Sequence, residues 1–141
     1  MFGFIKRNNT DKKVTYDYIA SVEAKYNFKF PEVLRKYYAN YNVCELRDIT
    51  IVMYREKFSV GTILPLKYCS ENVEFLLDIH RTKRYNPQYL VPFAKEVDGE
   101  FYYWDMNTGR VYYWAMSYEN EPLPIARSVE EFFELLNIYC D

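Results

Sequence analysis

No run of apolar residues approaches the roughly 20 that a membrane-spanning helix requires, so the sequence predicts no such span. The N-terminus, MFGFIKRNNTDKK, returns to charge after a few apolar positions and lacks the hydrophobic region of a secretion signal. Cysteine is scarce and odd in number: Cys44, Cys69 and Cys140 lie far apart and form no CxxC pair. That argues against a disulfide framework and fits reduced thiols in the cytoplasm. The one histidine, His80, ends an apolar helical stripe with no nucleophile–base pair near it, and reads as structural rather than catalytic. No GxSxG, P-loop, HExxH or GxGxxG pattern occurs. Cys44, Cys69, His80 and Cys140 lack chelating spacing, so neither a metal nor a cofactor is expected. The net charge of −2 is too small to imply nucleic acid or a membrane surface as partner.

Aromatic residues, in contrast, are abundant: 16 Tyr, 10 Phe and 2 Trp among 141 residues, half of which are apolar. Such a chain is not disordered, and its length suits one domain that buries roughly 70% of its unfolded surface. Tyrosine at this density fits either a protein-binding surface or a Tyr-rich core, and the composition leaves both open. The charge is uneven. Residues 1–94 carry 15 basic and 10 acidic side chains, while residues 95–141 carry 3 and 10, which points to an acidic face.

The densest β-forming stretch is Tyr89–Trp114. Asp98-Gly99 and Met106–Arg110 supply turn chemistry, so Leu90–Ala94, Phe101–Asp105 and Val111–Met116 read as a three-strand meander. Upstream, Thr15 caps a helix over 16–26 with Ile19, Val22 and Tyr26 on one face. Pro31 opens a second helix with Leu34, Tyr37, Tyr38 and Tyr41 as its stripe. Asp48–Arg55 alternates as a strand, and Phe58–Leu66 pairs with it as an edge or bulged strand because of Gly61 and Pro65. Ser70 caps a third helix bearing Val73, Leu76, Leu77 and His80. Tyr118–Pro124 reads as a proline-punctuated loop. Ser128 and Glu131 form a capping box for the last helix, which buries Val129, Phe132, Phe133 and Leu136.

Four carboxylates, Glu96, Asp98, Glu100 and Asp105, gather around the first hairpin. A pair of them would suit glycoside hydrolysis, which needs two carboxyl groups facing one bond, but the loops are too short to build a cleft. They read instead as a solvated turn or as an acidic patch steering a basic partner. Tyr102, Trp104, Tyr112 and Trp114 would stack sugars or bases if they shared an exposed face; packing beneath helices is the preferred reading. Lys83, Arg84 and Tyr85 interleave charge with an aromatic ring, but the acidic C-terminal third argues against a phosphate-tracking groove.

The order of these motifs resembles the SUKH superfamily, the Smi/Knr-type group. Phe30-Pro31 opens a helix ending at Tyr41-Asn42. Leu90–Ala94, Gly99–Tyr102 and Asp105 resemble the family's central strand pair, Val111–Trp114 its next strand, and Ile125–Phe132 its terminal helix. Val43 stands where many members carry Gly, and Glu100 where Asp is usual. The resemblance implies an α+β fold in one domain: a mixed, mostly antiparallel central sheet with about four helices around it. Residues 1–14 would be a loose lead-in and 15–141 the domain. It also implies a non-enzymatic, cytoplasmic protein-binding role. Bacterial members resemble immunity proteins that neutralise toxin domains, often nucleases, and fungal members resemble regulators of cell-wall glucan synthesis. On the immunity reading the partner is a basic toxin domain, with neither nucleic acid nor membrane contacted directly. The expected contact residues are Glu96, Asp98, Glu100, Asp105, Glu119, Glu121, Tyr103 and Trp104.

Overall fold

A computed structural model describes residues 13–42, 44–69, 71–83, 89–97, 99–115 and 121–138, with 44–48 and 80–83 described by their backbone alone. The first helix, α1 (Tyr16–Tyr26), starts where Thr15 accepts the Tyr18 N–H at 3.1 Å and stops at Asn27, whose φ of 58° is left-handed. Its Ile19, Val22 and Tyr26 are buried, as their spacing requires. In α2 (Glu32–Asn40), Pro31 serves as the N-cap rather than as the first helical residue, so the helix starts one place later than expected. Glu23 fastens the two helices. Its buried carboxylate accepts the Phe30 N–H at 2.7 Å and lies 3.7 Å from Arg35 Nε.

The strands β1 (Cys44–Met53) and β2 (Glu56–Ile63) are joined by a two-residue turn, Tyr54-Arg55, with φ of 52° and 61°. Asn-Gly is the usual choice there. Two residues with a Cβ in this region cost about 1–2 kcal/mol each. β2 lies inside the sheet rather than at its edge. The ladder shifts register across Gly61, between the pairs Glu45–Thr62 and Ile49–Val60, and a Cβ there would stand 3.2 Å from Val97 Cγ2. Pro65, the other supposed strand-breaker, falls beyond the strand.

For α3 (Val73–Lys83), the expected cap Ser70 lies outside the described residues; Asn72 Oδ1 accepts the Phe75 N–H at 2.8 Å. The meander follows its sequence signals as β3 (Leu90–Lys95), β4 (Phe101–Asp105) and β5 (Val111–Trp114). Part of the predicted loop is instead a strand, β6 (Leu123–Ala126), paired with β5. Last comes α4 (Val129–Leu135), where Ser128 Oγ accepts the Glu131 N–H at 3.0 Å. Glu131 in turn reaches the Arg127 N–H at 3.3 Å, so the box closes one residue earlier than the usual pattern.

The result is an α+β domain whose six strands run in sequence order, β1 to β6, with every ladder antiparallel. Tight turns join β1 to β2, β3 to β4 and β4 to β5, as antiparallel neighbours allow, and the longer connection through α3 also returns β3 antiparallel to β2. The main core joins the apolar stripes of the helices to Ile63, Val91, Phe93 and Tyr102. The Phe132 ring sits 5.4 Å from Phe93 and 5.2 Å from Tyr102, centroid to centroid. Each such side chain contributes about 1.5–3 kcal/mol by leaving water. The β1–β2 hairpin is held to the rest of the sheet through side chains. Tyr102 Oη donates to Ser59 O at 2.7 Å and Tyr54 Oη to Pro124 O at 2.8 Å.

Candidate functional site

The register of β4 against β5 decides which aromatics are available. Phe101 pairs with Trp114 and Tyr103 with Tyr112, while Tyr102 pairs with Tyr113 and Trp104 with Val111. Alternation along a strand then splits the set Tyr102, Trp104, Tyr112 and Trp114. Tyr102 and Trp104 point into the main core, whereas Phe101, Tyr103, Tyr112 and Trp114 lie on the opposite face of the sheet.

Three of the expected contact residues are buried. Trp104 is 5% exposed and packs against Phe28 and Phe30 at 5.8 and 6.2 Å. Tyr103 is 1% exposed, with the Phe101 and Trp114 rings 6.3 and 6.2 Å away. Asp105, 5% exposed, accepts the N–H groups of Asn107 at 2.8 Å and Thr108 at 3.2 Å. It organises the 106–110 turn from beneath, a local Asx role. It also stands at the far end of β4 from Glu100, a separation of about 13–17 Å at strand rise. The carboxylate quartet is thus divided. Asp98 and Glu119 lie outside the described residues.

Glu96, Glu100 and Glu121 remain. The Glu96 N–H donates to Glu100 O at 2.8 Å, closing the β3–β4 turn with Gly99 at φ 107°. Glu96 Oε1 accepts the Tyr113 hydroxyl at 3.2 Å. Glu121 is exposed and precedes β6, whose Leu123 pairs with Tyr113. This order puts Glu121 at the same end of the sheet as Phe101, Trp114 and Glu100. The three carboxylates thus share one sheet end with half-buried Phe101 and Trp114, while half-buried Tyr112, opposite Tyr103, lies two positions further along the ladder.

The acids also act on the sheet electrostatically. Burial raises the Tyr102 hydroxyl above its ordinary value, with negative Glu96 adding to the effect. Burial does the same to Tyr103, with Glu100 adding. Glu96 thus engages Tyr102 and Tyr113 of the core face and Glu100 engages Tyr103 of the other, so the acids rim this sheet end from both faces. Trp114 and Phe101 are contact candidates absent from the expected set. The signal for them is the Met106–Arg110 loop: its length sets the β4–β5 register, and the register brings the two rings opposite each other.

The fold and this surface define an α+β domain built on a six-stranded antiparallel meander with helices packed against it. No helix of the described residues is long and apolar enough to cross a membrane. Over residues 13–135 the chain matches the SMI1 / KNR4 family (SUKH-1), and it belongs to that family. No curated protein matches it.

Proposed function

We propose that the chain is a non-enzymatic protein-binding domain, an immunity protein that occludes the basic toxin domain of a polymorphic toxin system. The observation that carries this reading is the joining of Glu96, Glu100 and Glu121 with Phe101 and Trp114 at one end of the sheet. Carboxylates at the rim accelerate encounter with a cation-rich surface, and aromatic rings supply the buried contact that slows dissociation. Membership of the SMI1 / KNR4 family supports a role in protein–protein contact.

The test is charge reversal of Glu96, Glu100 and Glu121 together, measured against the basic toxin domain that this reading requires. Association slows by about tenfold or more at low salt, and its salt dependence flattens. An unchanged rate and salt slope would remove the acidic end as the docking surface. A second reading, a regulator of cell-wall glucan that binds polysaccharide, rests on the half-buried Trp114 and Tyr112. It requires β-glucan oligomers to quench Trp114 fluorescence, which a Trp104→Phe background isolates.

A further inference from the structure

We infer that the free edge of β1 is a docking site for one extended strand of another polypeptide, which would pair with Thr50 and Val52 as a seventh strand of the sheet. This goes beyond the acidic end of the sheet and does not depend on it. The turn Tyr54-Arg55 is closed by the pair Met53 and Glu56. In a two-residue hairpin that pair is hydrogen-bonded, so alternation makes Ile51–Phe58 and Ile49–Val60 bonded pairs as well. Thr50–Ser59 and Val52–Lys57 are then the non-bonded pairs, and the N–H and C=O groups of Thr50 and Val52 point away from β2. Ser59 provides an independent check. Its carbonyl is turned from β1 and accepts the Tyr102 hydroxyl at 2.7 Å.

The two sheet edges are not alike. On β6, Pro124 has no N–H to offer, and its carbonyl is taken by Tyr54 Oη at 2.8 Å. That edge is blocked. Along β1, the run Ile49–Met53 contains no proline, glycine or charge, the usual devices that keep an edge from pairing. Thr50 is exposed and Val52 is 68% exposed, while Ile51 between them is buried, so the strand cannot slip by one residue. Among the described residues β1 pairs with β2 alone.

The occupant is one extended strand with an acidic residue at the end that meets the hairpin tip. Arg55 and Lys57 are exposed there on either side of exposed Glu56, which leaves the tip net positive. A second copy paired through β1 is the alternative that sedimentation separates.

The probe is a phage-displayed library of random nine-residue peptides selected on the whole chain. Peptides with alternating β-formers and an acidic end are enriched, and Thr50→Pro weakens them by about tenfold or more. Proline at this position removes only an outward N–H, so the variant should melt as the parent does. Val52→Lys, which leaves the backbone intact, weakens the same peptides. N-methylation of alternate peptide amides abolishes binding in one parity and spares it in the other. Selection that enriches nothing, peptides indifferent to both variants, or sedimentation showing a dimer through β1 would each overturn the inference.

Discussion

Adjacent tyrosines in α2 should respond in opposite directions to the same change. Tyr37 and Tyr38 are both fully buried, with ring centroids 5.7 Å apart. The Tyr37 hydroxyl donates to Ile63 O at 3.1 Å, whereas Tyr38 Oη has no hydrogen-bond partner among the described residues. Burying a hydroxyl without a partner costs about 1–3 kcal/mol. Tyr38→Phe removes that cost and keeps the ring that meets Phe30 at 5.1 Å, edge to face. The only volume lost is one oxygen, too little for a cavity to cancel the gain. The variant should therefore be more stable by ~1 kcal/mol or more. Tyr37→Phe deletes a made bond and should cost ~1 kcal/mol. Urea denaturation of both variants beside the parent decides the matter: midpoints move apart in opposite directions at constant m-value. Loss of stability in Tyr38→Phe comparable to that in Tyr37→Phe would refute the reasoning, because Tyr38 would then have to be hydrogen-bonded.

Three further outcomes follow from the same geometry. Burial raises the hydroxyls of Tyr38, Tyr102 and Tyr103 in the folded state, whereas the unfolded chain ionises near the ordinary value of 10. Stability should thus be complete below about pH 10 and fall as pH rises through the raised values, by up to about 4 kcal/mol per pH unit for three such groups. Denaturant midpoints measured alongside tyrosinate absorbance check this, and a midpoint flat to about pH 11 would contradict it. Arg55→Gly relieves a φ of 61° while keeping the Tyr54 bond to Pro124, and should raise stability by ~1 kcal/mol in thermal melts. Asp105→Ala removes the acceptor of two turn N–H groups and should cost about 1–2 kcal/mol in thermal melts.

Local signals are legible in the sequence wherever one element answers to one rule. Thr15 and Ser128 cap the helices that their positions predict, and β4 spans Phe101–Asp105 as its β-formers require. Pairing is another matter. Pro122 and Pro124 argue against a strand, and they do so correctly for any strand paired on both sides. Leu123–Ala126 escapes because it is an edge, where a missing N–H costs no ladder bond. Gly61 misleads only about the edge: the β1–β2 ladder does shift register across it, but β2 is an interior strand, and Gly61 also admits Val97 from a neighbouring segment.

The site inherits both errors, since it is made by pairing. Tyr103 and Trp104 are neighbours in sequence and lie on opposite faces; Phe101 and Trp114 are 13 positions apart and directly opposite. Alternation within β4 is visible in the sequence, but which face the helices cover is not, because all five of its residues suit burial and four are buried. A strand apolar on both sides carries no marker of its outer face. Only the partner strands supply one. β6 is the element whose omission matters most, because pairing it with β5 is what carries Glu121 to the end where Glu96 and Glu100 close their turn. An acidic face is implied by the charge excess after residue 94, and the meander determines which of those acids can act together.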